Sequence, residues 1–218
     1  MLLSFDVAPQ AVAEHDDWHT HEHLPERLSI PGFLRGTRWT ALRGAPAYFV
    51  MYEVEQLATL SSGAYLDRLN HPSPWTAKMM RHYRGMTRAF CSVAGSVGFG
   101  FGGVGSLVRF AHEPVNELAR RERLLRQHLV SLPERPGIGS AHWFEAALTP
   151  ETTTEERIRG ADATVNAALL LTGYREEALQ DLLDSDFMHS LIAAQGADGT
   201  SVATYRLDYS LARTELEK

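Results

Sequence analysis

The chain has 218 residues, of which 44% are hydrophobic and 22% charged, as is usual for a globular protein with a sizeable core. Its formal net charge of −6, without any run rich in lysine or arginine, argues against a nucleic-acid-binding surface. A lone cysteine, Cys91, excludes an internal disulfide and a cysteine-rich metal site, which is typical of the reducing cytoplasm.

The hydropathy pattern predicts a cytoplasmic protein that does not enter the membrane. The apolar start of the chain reaches Asp6 after only five residues, too early for the hydrophobic region of a signal peptide. No stretch of about 18 apolar residues occurs, so no membrane-spanning helix is expected.

Predicted elements in the first half follow the order β-α-β-β-α-β. Strands are predicted at LLSFDVA (2–8), FLRGTRWTAL (33–42), AYFVMYEVE (47–55) and TRAFCSVAGSV (87–97). Helices are predicted over residues 11–30 and 60–84, the second interrupted at HPSPWT (71–76).

The second half repeats this order. Strands are predicted at SLVRFAH (106–112), GSAHWFEAAL (139–148), NAALLLTGY (166–174) and SVATYRLDYSLA (201–212), and helices over about 115–133 and 176–195. The polar segment 149–164 is predicted to be a mobile loop.

An internal repeat underlies this symmetry. At an offset of 105 residues Phe5 falls on Phe110, His23 on His128, and Pro31-Gly32 on Pro136-Gly137. We therefore predict an α+β protein of two tandem ferredoxin-like halves, residues 1–100 and 106–218, joined by a glycine-rich linker. Each four-stranded sheet leaves one face without helices, and packing sheet to sheet within one chain would cover both faces.

Four histidines lie within nine positions of the first predicted helix: His15, His19, His21 and His23. A metal site needs three converging ligands, whereas His15, His19 and His23 at i, i+4 and i+8 spread over about 12 Å of helix. We predict that no metal binds, and that His15, His19 and His21 lie on a solvated polar face. His23, which the repeat retains as His128, is predicted to face the gap between helix and sheet. It is either a catalytic acid or base, or a hydrogen-bonded structural histidine.

The residues around His23 carry a resemblance to a known group of proteins. The pattern W-x-x-x-E-H-L-P-E-R-x-x-x-P-G-F-x-x-x-x-R-W (18–39) resembles the dimeric α+β barrel superfamily, and more narrowly its EthD-like branch. SGAYLDRLNHPSPWT (62–76) resembles the second helix of uncharacterised bacterial members. The resemblance implies a two-sheet barrel, here formed within one molecule, with a pocket between each sheet and its helices. Activities in the superfamily range from cofactor-free oxidation of aromatics, lactone isomerisation and polyketide cyclisation to haem degradation, so the fold does not determine the function.

Several side chains near His23 are candidates for binding a small apolar or aromatic molecule, although core packing is an alternative for each aromatic residue. The candidates are Trp18, Arg38, Trp39, Tyr52, Tyr65, His71, Trp75 and Thr76. Arg38 and Trp39 are adjacent on a predicted strand, so one of them must face away from the pocket.

Two functions remain open at this point. The first is an enzyme without a cofactor, an oxygenase, cyclase or isomerase, in which His23 is the general acid or base because its unperturbed pKa lies near 6.5. The second is a non-catalytic protein that binds a hydrophobic small molecule, with haem among the ligands considered. Either would be a monomer or a homodimer, and the sequence does not identify the substrate.

Overall fold

The computed structural model of the chain describes residues 1–111, 118–148, 152–195 and 199–216. The first four strands and their helices are β1 Leu2–Val7, α1 Val12–Trp18, α2 Leu24–Leu28, β2 Phe33–Arg43, β3 Tyr48–Val54, α3 Gly63–Asn70, α4 Pro74–Met80 and β4 Tyr83–Gly98. They are followed by β5 Val104–Phe110, α5 Leu118–His128, β6 Ile138–Leu148, α6 Thr154–Arg159, β7 Ala167–Gly173, α7 Glu176–Leu183, α8 Asp186–Gln195 and β8 Thr200–Ala212. A π-helical turn, His19–His23, connects α1 to α2.

In the described residues eight strands form a closed barrel in the order β1-β3-β2-β8-β5-β7-β6-β4, with antiparallel neighbours. Each half contributes four strands in the ferredoxin-like order, β4-β1-β3-β2 and β8-β5-β7-β6. The two sheets join edge to edge where β2 pairs with β8 and β4 pairs with β6. This confirms the predicted α+β fold, a barrel of two ferredoxin-like halves within one chain, while the domain limits 1–100 and 106–218 stay a prediction.

The offset of 105 residues is visible in the elements. Strands β2 and β6 both have 11 residues, and β6 begins 105 positions after β2. Each is preceded by a Pro-Gly turn in which Gly32 (φ 88°) and Gly137 (φ 99°) have a backbone conformation that side chains disfavour. The repeated glycines are therefore explained by the chain reversal that leads from helix to strand.

Alternation along the strands divides the apolar residues between the barrel interior and the helix-covered outer faces. Trp39 is fully buried in the interior cluster, together with Phe49 and Tyr205. Its neighbour Arg38 faces the helices instead, where its guanidinium contacts α1. The prediction that one of the two must face away is confirmed.

Residues 152–164 correct the prediction of a mobile loop over 149–164, of which 149–151 lie outside the described residues. They form α6 and then an isolated parallel bridge between Thr87 and Ala163. The Thr153 hydroxyl caps α6 by accepting from the Glu156 N–H at 3.5 Å. The segment's charged side chains pair with arginines of the first half, and composition alone cannot show such long-range pairing.

The longer predicted helices also differ from the structure. The helix predicted over about 115–133 begins outside the described residues and gives way after His128 to a 3₁₀ turn, Leu129–Glu134. The helix predicted over 176–195 is interrupted between α7 and α8. No helix in the described ranges is long and apolar enough to cross a membrane.

Candidate functional site

The π-helical turn that carries the histidines follows from Pro25. Proline has no N–H to donate to the carbonyl four residues back, His21, and its ring crowds that carbonyl in an α-helix. The helix widens at this point, and the Leu24 N–H donates to the His19 carbonyl, five residues back. The wider turn inserts one extra residue and so rotates the buried face of the helix.

The structure corrects the prediction of a solvated face for His15 and His19, because this side of the helix packs against the sheet. Both are buried, at 0% and 1% exposure, whereas His21 is exposed as expected. His23 follows on the same buried side, and ring centroids are 5.5 Å apart both from His15 to His19 and from His19 to His23. This spacing is usual for side chains four residues apart on a helix.

A small cavity, here called the inner chamber, lies between this helix and the sheet of the first half. Its polar walls include His19, His23, Arg27, Tyr52, Tyr83 and Glu155. Its volume is about 30 Å³, and a single water needs at least about 10–15 Å³. As packed, the inner chamber has room for about two waters or one small functional group.

Three buried polar atoms of the chamber walls have no hydrogen-bond partner among the described residues. They are Nδ1 of His19, Nδ1 of His23 and the hydroxyl of Tyr52. An unpaired buried polar atom costs about 1–3 kcal/mol, so a polar group bound here would gain most by pairing with these atoms.

The two chamber histidines are neutral at neutral pH. Burial lowers the pKa of His19 and of His23 well below the usual range, and the positive charge of Arg27 lowers the pKa of His23 further. A neutral imidazole has one nitrogen lone pair that can accept a proton. His23 is therefore held in the form that a general base requires.

Beside it, Arg27 supplies a buried positive charge. Its guanidinium is 2% exposed and donates to Glu155 on α6 and to Glu26 at 3.1 Å. Burial alone would lower the pKa of Arg27, but the carboxylates, above all Glu155, raise it. The guanidinium thus stays charged and is held in a fixed orientation.

Further ion pairs connect α6 and the residues after it to β4. Arg159 donates to both oxygens of Asp162 at 2.9 and 2.6 Å, and Arg88 lies 2.8 Å from Asp162 and 3.0 Å from Glu156. Sequence reasoning missed these residues and Arg27. The one sequence signal for Arg27 was its place directly after Glu26 in the pattern of residues 18–39.

A chain of hydrogen bonds leads from the surface to the chamber wall. Asp16, whose side chain is 36% exposed, lies 3.1 Å from Nδ1 of His15, and Nε2 of His15 lies 3.1 Å from the Tyr83 hydroxyl. Tyr83 lines the inner chamber. This arrangement can pass a proton between the chamber wall and a carboxylate that solvent reaches.

Of the candidate residues, the structure brings His23, Tyr52 and Tyr65 together in the walls of the inner chamber. Trp18 lies behind them, with its ring centroid 4.4 Å from that of His23. Its indole N–H donates to the Thr76 hydroxyl at 3.3 Å, so these two residues support the histidine from outside the chamber.

The other candidates lie elsewhere. Arg38 donates to the Asp16 carbonyl at 2.9 Å and to the Thr20 hydroxyl at 3.0 Å, which ties β2 to the helix. The Trp75 indole donates to Glu14 at 3.1 Å, and His71 is exposed. Trp39 lies in the barrel interior. None of these four side chains, Arg38, Trp39, His71 and Trp75, lines the inner chamber.

Within the described ranges, no three histidine, cysteine, aspartate or glutamate side chains converge as a metal site would require. The expectation that the chain binds no metal stays a prediction, for which elemental analysis is the test.

Comparison with known proteins finds similarity at the level of structure. No family model matches the chain, and no curated protein matches it. A crystal structure described as an anthrone oxidase-like protein aligns with a TM-score of 0.71 and 9% identity, covering 97% of this chain and 91% of that one. A putative monooxygenase from Fusobacterium nucleatum aligns with a TM-score of 0.60 and 10% identity, over 97% and 92% of the two chains. Another from Lactobacillus acidophilus aligns with a TM-score of 0.53 and 12% identity, over 97% and 94%.

At these identities the likeness establishes the fold. The chain has the fold of the dimeric α+β barrel proteins, with both halves in one polypeptide. Membership of the EthD-like branch is not specified by these structures and stays a prediction.

Proposed function

We propose that the protein is an enzyme that removes a proton from a weakly acidic C–H or O–H group of a small, largely apolar molecule. The observation that carries this proposal is His23, a buried imidazole with an unpaired Nδ1 in a small polar chamber. A buried nitrogen without a partner lowers the stability of the fold, because no hydrogen bond compensates its desolvation. It is well suited to accept a substrate proton.

The positive charge of Arg27 favours the anion that would result. Its guanidinium lies in the chamber wall and acts on His23, whose pKa it lowers, whereas the guanidiniums of Arg88 and Arg159 are paired with Asp162. An opposite charge within about 4–6 Å lowers the pKa of an acid by about 1–3 units. This helps to offset the weakened basicity of His23. Proton transfer then places a substrate anion beside Arg27 and a positive charge on the imidazole of His23.

Oxidation by dioxygen is the reaction we assign to this anion. A carbanion of the anthrone type reacts with dioxygen so that the two methylene hydrogens are replaced by one oxygen atom, and the second oxygen leaves with those hydrogens as water. The products, a quinone and water, balance the ketone and dioxygen consumed, and no cofactor takes part. Similarity to the anthrone oxidase-like structure supports this choice by analogy over cyclisation or isomerisation, which share the first proton transfer.

Haem does not fit the chamber as packed. The inner chamber of about 30 Å³ holds one small functional group, whereas pockets for drug-sized ligands enclose about 300–1,000 Å³. It can therefore admit the reacting group of an anthrone-sized substrate, whose rings lie outside it, but it cannot enclose a haem. Non-catalytic binding of a smaller apolar molecule is the alternative function, and the experiment described next distinguishes it from catalysis.

The experiment is incubation of the protein with anthrone in aerated buffer, following anthraquinone by absorbance and dioxygen with an electrode, against the spontaneous rate. We expect accelerated oxidation with one dioxygen consumed per anthraquinone. The His23→Gln variant should lose about 100-fold or more of this rate, as is usual on removal of a general base. A complex that forms without conversion would favour the binding protein, and a full rate in His23→Gln would remove His23 from the mechanism.

A further inference from the structure

A second cavity, here called the outer chamber, adjoins the inner one. Its volume is about 230 Å³, and its walls include Leu60, Leu66, Phe90 and Leu148. Leu60 and Phe90 are buried, Leu66 is half-buried, and Ser61 and Leu148 are exposed. The cavity thus has an apolar body with a mouth that faces solvent.

Three residues line both chambers, and so form the partition between them: Tyr65, Leu69 and Arg88. The Tyr65 ring is 2% exposed and packs between Phe33 and Phe90, with ring centroids 5.5 and 6.3 Å away. Its hydroxyl contacts the sulfur of Met1 at 3.3 Å, and a thioether is only a weak acceptor. Rotating the Tyr65 ring therefore breaks no strong hydrogen bond.

The two chambers differ in volume and polarity, and so suit different parts of a ligand. The inner chamber holds the titrating and charged groups but has room for only about two waters. The outer chamber is mainly apolar and more than seven times as large. Since an apolar cavity of about 150 Å³ binds benzene, the outer one has space for an aromatic system of one or two rings.

We infer that the outer chamber binds the aromatic body of the substrate, and that Tyr65 must rotate for the reacting group to reach His23. This inference rests on the proposed function for the role of His23, but the binding itself does not. It names a ligand class, a neutral hydroxyarene or its keto form of which one or two rings lie in the outer chamber and any third ring, as in anthrone, lies at the solvent-facing mouth. It also names a residue that controls access.

The charge of the partition selects against carboxylate ligands. Arg88 is 2% exposed, and its guanidinium pairs with Asp162 and Glu156 while lying 5.6 Å from the centroid of Phe90. Two carboxylates already compensate this single positive charge. Arg88 thus presents a flat surface on which a ring can stack, and a third anion would be repelled by the two carboxylates already paired with it.

The probe for the test is 2-naphthol, whose binding is followed by its own fluorescence and by NMR shifts of the chamber residues. Leu66→Trp fills the outer chamber without touching the inner one, and should weaken naphthol binding by about 10-fold or more. Leu42→Trp is the matched control, because Leu42 is 41% exposed and lies outside the walls of this chamber. It should leave the affinity unchanged.

Two further variants test the mouth and the partition. Ser61→Trp changes an exposed residue at the mouth, so the fold should survive, and it should slow naphthol association. Tyr65→Leu should open the partition, so that bound naphthol shifts the NMR signals of His23 more than in the wild type. Equal affinity in wild type, Leu66→Trp and Ser61→Trp would place the ligand elsewhere and overturn the inference. Unchanged His23 shifts in Tyr65→Leu would overturn the role of Tyr65.

These outcomes are separable from those of the proposed function. Naphthol that binds in the outer chamber while His23→Gln keeps full anthrone oxidation would refute the catalytic proposal alone. Anthrone oxidation that depends on His23 but is insensitive to Leu66→Trp would refute the outer chamber alone.

Discussion

Acidification should destabilise this protein through its buried histidines. His19 and His23 have pKa values lowered by burial, so the folded state resists a proton that the unfolded state accepts near the ordinary value of about 6.5. Stability from these groups is complete above that value and is lost as the pH falls below it. Because the folded-state pKa lies well below the usual range, the loss is governed by the unfolded chain. Between about pH 7.5 and about pH 5.5 it amounts to about 1.4 kcal/mol per histidine.

Chemical denaturation at the two pH values measures this loss directly. Other groups also titrate in this range, since burial raises the pKa of Glu26 and of Glu53, so the comparison must be between variants. In His19→Gln the difference in unfolding free energy between the two pH values should be smaller than in the wild type by about 1.4 kcal/mol. His21→Gln, at an exposed position, is the control and should keep the wild-type difference. The same pH dependence in wild type and His19→Gln would refute the reasoning.

Three other predictions concern the ion pairs, metal and assembly. Glu155→Ala should lower the unfolding free energy by about 3–5 kcal/mol, because it leaves Arg27 without its main partner. The control Glu176→Ala breaks an exposed pair with Arg43 and should lower the unfolding free energy by less than about 1 kcal/mol. Equal losses in urea titrations would contradict this. Elemental analysis of untagged protein should find no stoichiometric transition metal, and about one zinc, iron, nickel or copper per chain would overturn that expectation. Since both halves of the barrel come from one chain, light scattering in dilute solution should show a folded monomer or a dissociable dimer; unfolding that always coincides with chain dissociation would contradict an intramolecular barrel.

Much of the fold could be predicted because repetition and alternation are local patterns in the sequence. The offset that places Pro31-Gly32 on Pro136-Gly137 anticipates the equal strands β2 and β6. Strand alternation also requires Arg38 and Trp39 to face opposite ways, as the structure confirms.

The candidate site could be predicted only in part, because its geometry depends on one helix irregularity and on contacts between the two halves. Pro25 signals a less regular helix, but neither the π-turn itself nor the burial of His15 and His19 on the side of His23. Glu155 contacts Arg27 across 128 positions of sequence. No periodicity reports such a pair.

The most direct test of the central proposal is proton removal without dioxygen. Anthrone in deuterated buffer under nitrogen exchanges its methylene hydrogens for deuterium, and NMR measures the rate. The wild type should accelerate this exchange, and His23→Gln should reduce the acceleration by about 100-fold or more. His128→Gln, at the matching position of the second half, should leave it unchanged. Exchange at the wild-type rate in His23→Gln would show that His23 is not the base.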